Sequence, residues 1–94
     1  MIKSFHHKGL QLFFETGNRS GIHSSHAPRL ARQLARLNEA SSWEDMNLPG
    51  WRLHLLKGKF IGQFSIVVSG NWRLTFKFEG EGEDAVLVNY QDYH

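Results

Sequence analysis

Two histidines stand where their chemistry could transfer protons. His54 falls on the polar side of an alternating segment, and His94 closes the chain in Asp92-Tyr93-His94. An imidazole has an ordinary pKa near about 6.5, so either protonation state is reachable around neutral pH. RNA is cleaved without metal when a base deprotonates the 2′-hydroxyl, a cation steadies the phosphorane and an acid protonates the 5′-oxygen leaving group. Arg73 could sit on the same sheet face as His54 and hold the phosphate. Asp92 could orient an imidazole or be an edge-strand surface acid, and Tyr93 could stack on a base or pack over the sheet edge. A single exposed histidine is more often an ordinary surface residue, so spacing alone suggests a site without assigning one.

Other constellations are poorer. His6-His7 and His23-x-x-His26 invite a metal, but no cysteine or nearby acid completes a first ligand set, and neither metal nor cofactor is expected. Gly58, Gly62 and Gly70 form no phosphate-binding fingerprint, because no strand, glycine-rich loop and helix surround them. The absence of cysteine removes disulfides, thiolate metal sites and cysteine nucleophiles, and fits a reducing cytosol. Residues 1–7 lack the apolar stretch of a signal peptide and no later run approaches a membrane-spanning length, so a cytoplasmic protein with no membrane partner is expected.

The elements that must position these residues change period midway. Ile2 to Phe5 reads as a short strand. Leu10, Phe13 and Phe14 recur at helical spacing, with Gly17 as a C-cap. A second helix follows, with Ser25 as its candidate N-cap, Pro28 in the first turn, Leu30, Leu34 and Leu37 on one stripe, and an end near Ser41 and Ser42. After residues 43–50 the period becomes two. Trp51, Leu53 and Leu55 alternate with Arg52 and His54; Phe64, Ile66 and Val68 alternate with Gln63, Ser65 and Val67; Trp72, Leu74, Phe76 and Phe78 alternate with Arg73, Thr75 and Lys77. A last strand spans residues 85–90 after an acidic, glycine-rich loop. Ninety-four residues support one core, so a single domain over residues 1–94 is expected. The fold class is α+β, with two N-terminal helices packed on the apolar face of a mostly antiparallel sheet. The opposite face is then bare and collects Arg52, His54, Gln63, Ser65, Arg73, Thr75 and Lys77.

Charge is segregated. Residues 1–37 carry six Lys and Arg against Glu15 alone, and residues 51–77 carry five and no acid. If the two blocks meet, they form an anion-binding surface for which nucleic acid is the leading candidate. Arg29, Arg32 and Arg36 fall within roughly a 60° arc of the second helix, either as a solvated face or as a contact for RNA phosphates or an acidic partner.

Four stretches in order resemble the HigB branch of the RelE/ParE toxin superfamily. They are Met1-Ile2-Lys3-Ser4-Phe5; Leu53-His54-Leu55-Leu56-Lys57-Gly58; Gly62-Gln63-Phe64-Ser65-Ile66 leading to Asn71-Trp72-Arg73-Leu74-Thr75-Phe76; and the terminal Asp92-Tyr93-His94. The resemblance spans nearly the whole chain. It implies a microbial-ribonuclease-like fold, metal-independent cleavage of messenger RNA in the ribosomal A site, and neutralisation by a HigA-like helix-turn-helix antitoxin. Operator DNA would be met only through the antitoxin complex. Carried onto matching positions, His54 and His94 share proton transfer, Arg73 stabilises the phosphate, and Asp92 and Tyr93 align site and substrate. Lys57 contacts the RNA backbone, with Arg52, Lys59 and Lys77 as further RNA-binding candidates. Arg29, Arg32 and Arg36 are a candidate antitoxin surface.

Two departures from the family pattern bear on activity. Val67 stands where related chains often carry a basic residue, which removes a candidate phosphate contact and is expected to weaken RNA binding. His94 has its own α-carboxylate close by, which favours the imidazolium and makes it a better acid than base. Two other readings of the resemblance are a ParE-like inhibitor of DNA gyrase and a binding-only member of the fold. His54 and the terminal Asp-Tyr-His speak for the nuclease, because a binding toxin needs no paired proton-transfer groups.

Overall fold

The computed structural model of the chain describes residues 1–93. Helix α1 spans Lys8–Thr16. Its N-cap is His7, whose Nδ1 accepts a 2.9 Å hydrogen bond from the Leu10 N–H. At the other end Gly17 takes the left-handed conformation (φ 82) and donates its N–H to the Phe13 carbonyl at 2.8 Å, a geometry that glycine adopts at little cost.

Helix α2 spans Ala27–Glu39, with Pro28 in its first turn. Ser25 is not its cap. A 3₁₀ turn over Ser24–His26 precedes the helix and supplies the backbone bonds at its entry. The helix also stops short of Ser41 and Ser42, because Asp45 Oδ2 captures Ser41, accepting from its N–H at 2.8 Å and its hydroxyl at 3.1 Å.

Four antiparallel strands follow in the order β1-β2-β3-β4: His54–Leu55, Gln63–Ser69, Trp72–Glu79 and Asp84–Asp92. The helices cover one face, as the apolar alternation requires. Leu10, Leu30, Leu34 and Leu37 pack with Ile66, Leu74, Phe76, Val88 and Tyr90 in one core. Each such side chain contributes roughly 1.5–3 kcal/mol on burial. The chain is thus α+β, with both helices on one side of an antiparallel sheet.

Three expectations need correction. The strand expected over Ile2–Phe5 is reduced to two isolated parallel bridges, to Ala85 and Val88 of β4. Between them the Ser4 hydroxyl, not a backbone carbonyl, accepts from the Leu87 N–H at 2.9 Å, which interrupts the ladder. The strand expected from Trp51 shrinks to two residues, because Arg52 takes a left-handed backbone (φ 51) that no extended run can contain. Finally, the polar face is not bare. Ser65 and Thr75 are 4% and 1% exposed, and Ser65 lies at the base of a cleft walled by Arg52, His54 and Leu56.

Candidate active site

Strand register fixes which side chains share the polar pleat. His54 faces Ser65, Ser65 faces Thr75, and Thr75 faces Asn89, giving one row across all four strands. The next row is Val67, Arg73 and Gln91. His54 on β1 and Arg73 on β3 are separated by two strand spacings, roughly 10 Å across the sheet, which leaves room for a phosphate between two long side chains.

A cleft of about 450 Å³ opens over this region, lined by Arg52, His54, Leu56, Ser65, Val67, Arg73 and Tyr93. Four residues expected from sequence therefore meet: Arg52, His54, Arg73 and Tyr93. No acid is among the described lining residues, so two guanidiniums set a positive potential over the floor. Arg73 is held in place. Its Nη1 donates to the Gly70 carbonyl at 2.7 Å and to the Trp72 carbonyl at 3.4 Å. Tyr93 is tied through its N–H to the Asn71 carbonyl at 2.8 Å, and its hydroxyl accepts from Gln91 Nε2 at 3.4 Å.

The wall that carries Arg52 and His54 is positioned from the helix side. The Val67 N–H donates to the Trp51 carbonyl at 2.8 Å, just before Arg52. The Val67 carbonyl accepts from Gln33 Nε2 at 2.8 Å and from Arg29 Nε at 3.4 Å, both on α2. Pairing shifts register between Val67 and Ser69, so a bulge frees this carbonyl for the helix. Gln33 went unnoticed in the sequence because it reads as a polar break beside a leucine stripe. Only its complete burial reveals the role.

Other expected residues lie apart from the cleft. Asp92 pairs with Trp72 and so belongs to the opposite pleat, with Tyr90. Lys57 caps a 3₁₀ turn over Gly58–Phe60, Lys59 places its Nζ 5.3 Å from the Phe60 ring centre, and Lys77 pairs with Gln63. The α2 arginines are not one uniform face. Half-buried Arg29 also donates to the Gly50 carbonyl at 3.0 Å and Arg36 to the Asp45 carbonyl at 2.8 Å, while Arg32 and Arg36 are both exposed. His94 lies outside the described residues.

A separate aromatic cluster takes up His23 and His26, one of the two histidine pairs that suggested metal. The His23 ring lies 4.7 Å from Trp72 and 5.1 Å from His26, and His26 Nδ1 hydrogen-bonds the Tyr90 hydroxyl. Burial pushes His26 below its ordinary pKa, with His23 adding to the effect, and pushes Tyr90 up. Among the described residues no group of three or more His, Asp or Glu comes together to hold a metal ion.

Residues 3–94 match the family described as HigB-like toxin, the RelE-like toxin of the type II toxin-antitoxin system HigB. The chain belongs to the HigB-like toxins. Over 94 residues, covering the whole of both chains, it is 44% identical to a Proteus vulgaris protein named Endoribonuclease HigB. As a HigB-like toxin the chain has a cognate antitoxin as its partner. Among the described residues of this toxin no helix is long and apolar enough to cross a membrane.

Proposed function

We propose that this toxin is a ribosome-dependent, metal-independent endoribonuclease that cleaves messenger RNA in the A site and so arrests translation in the cytoplasm. One observation carries the reading: a single cleft gathers His54, Arg52, Arg73 and Tyr93 around Ser65 and Val67. That set matches RNA transesterification. His54 exchanges a proton with the 2′-hydroxyl or the 5′-oxygen, with His94 taking the complementary task, and Arg73 stabilises the charge that builds on the phosphorane. Tyr93 aligns the substrate, and Asp92, on the opposite pleat, acts as a positioning residue at the strand end. Arg52, Lys57, Lys59 and Lys77 hold the RNA backbone.

The antitoxin in this reading is a HigA-like helix-turn-helix protein, through which the complex meets operator DNA, and the exposed Arg32 with Arg29 and Arg36 offers it a charged contact. Primer extension on a translated reporter message tests the activity, using wild type, His54→Ala and His94→Ala with and without ribosomes. The expected result is cleavage within codons that needs ribosomes and falls by about 10²–10⁴-fold in each variant. Growth arrest with an intact message would redirect the search toward gyrase or a binding-only toxin.

A further inference from the structure

The polar pleat carries a second hollow beside the cleft, about 140 Å³, lined by His6, Phe60, Gln63, Leu87, Asn89 and Gln91. We propose that it is a nucleobase subsite, which receives the base of a nucleotide flanking the cleaved bond. The proposal rests on the RNA-cleavage reading above and extends it to how the strand is read.

The chemistry of the lining selects a base over other ligands. No Lys, Arg, Asp or Glu is among the described lining residues, so a cation finds no counter-charge there, and the His6 imidazole is the one titratable side chain among them. Three side-chain amides instead offer neutral donors and acceptors, the groups that pair with the edge of an unstacked base, and Phe60 offers a flat face for stacking. Asn89 is pre-oriented. Its Oδ1 accepts from the Tyr90 N–H at 2.9 Å, which leaves Nδ2 as the donor. Lys59 Nζ lies 5.3 Å from the Phe60 ring centre, so one face of the ring meets a cation and the other is the face a base would use.

One hydrogen bond links the wall of the hollow to the wall of the cleft. Gln91 lines the hollow and donates through Nε2 to the hydroxyl of Tyr93, which lines the cleft. Between them, in register with Asn89, lies Thr75. Its hydroxyl is buried and has no hydrogen-bond partner among the described residues. Thr75 lines neither opening, so it separates the two as a buried partition.

The test compares wild type with Phe60→Leu, which keeps apolar bulk but loses the flat face, and Asn89→Asp, which keeps the acceptor for Tyr90 and loses the donor. Cleavage sites on a ribosome-bound message are mapped, and kcat and KM are measured. We expect both variants to redistribute cleavage among codons and to raise KM about tenfold, with kcat changed less than about threefold. An unchanged site distribution with unchanged KM overturns the subsite while leaving the nuclease reading intact. If wild type cleaves nothing, the nuclease reading fails and binding decides separately. Titration with a single-stranded oligonucleotide should then shift the side-chain amide signals of Gln63, Asn89 and Gln91, and unmoved signals overturn the proposal.

Discussion

Val67 and Arg73 are direct partners across β2 and β3, so an apolar side chain stands beside the best-anchored cation of the cleft. A basic residue at that position would meet the same phosphate as Arg73, and it would also meet Arg73 itself. Val67→Lys is therefore expected to strengthen binding of single-stranded RNA at low salt and to steepen its salt dependence by about 0.7 in log K against log salt, one added phosphate contact. The like-charge pair should cost about 0.2–1 kcal/mol of stability. Binding isotherms across a salt series check this, and an unaltered slope would show that position 67 does not reach the RNA.

Arg73 is anchored through Nη1 to the Gly70 and Trp72 carbonyls, which leaves the rest of the fork to face the cleft. Arg73→Ala should lower kcat by about 10²–10³-fold, the range seen when a group that stabilises transition-state charge is removed. Arg73→Lys should recover only part of that loss, because an ammonium cannot hold the carbonyls and grip a phosphate as a planar fork does. Single-turnover cleavage distinguishes the two, and equal rates for wild type and Arg73→Lys would refute the forked arrangement.

Gly9 of α1 and Gly21 of the following loop touch backbone to backbone. A Cβ on Gly9 would come 2.8 Å from Gly21 Cα, and a Cβ on Gly21 would come 2.5 Å from Gly9 Cα. Neither contact can be relieved by turning a side chain. Gly21→Ala should thus cost about 1–3 kcal/mol through overpacking, read as a lowered Tm. A Tm equal to wild type would mean that the loop can move away freely.

Acid should weaken the fold through His7 and His26. Burial holds both imidazoles below the ordinary value of 6.5; at His7 it outweighs a backbone hydrogen bond acting the other way. The unfolded chain therefore takes up protons that the folded chain refuses. Stability is fully present above about pH 6.5 and is lost as the pH falls through that value toward the lower folded pKa. Protonation of His7 Nδ1 would also remove the acceptor that caps α1. His7→Asn can keep a cap without titrating, so its Tm should fall less than that of wild type between pH 7.5 and 5.5, whereas His7→Ala should lose about 1 kcal/mol even at pH 7.5. Parallel pH profiles for wild type and His7→Asn would rule His7 out as a source of the acid sensitivity.

Much of the site was legible where one face of a strand is buried. In β2 and β3 the apolar residues must point at the helices, so Ser65, Arg73, Thr75 and Lys77 had to share the other pleat. The same rule failed for Trp51–Leu55, where a left-handed Arg52 breaks the extended run and no pattern of residue types announces a backbone angle. It gave no warning that Asp92 lies across from Trp72, because at the strand end alternation is fixed by pairing and not by burial.

What the sequence determined alone was the change from helical to strand period, the parity of the central strands and the separation of basic from acidic segments, each a property of neighbours along the chain. The tertiary structure decided what depends on distant residues. The Val67 carbonyl at a bulge recruits Gln33 and Arg29 from α2, and its N–H holds the segment that brings Arg52 and His54 over the cleft. It also decided that Ser65 and Thr75 are buried, since burial of a polar pleat depends on what folds above it.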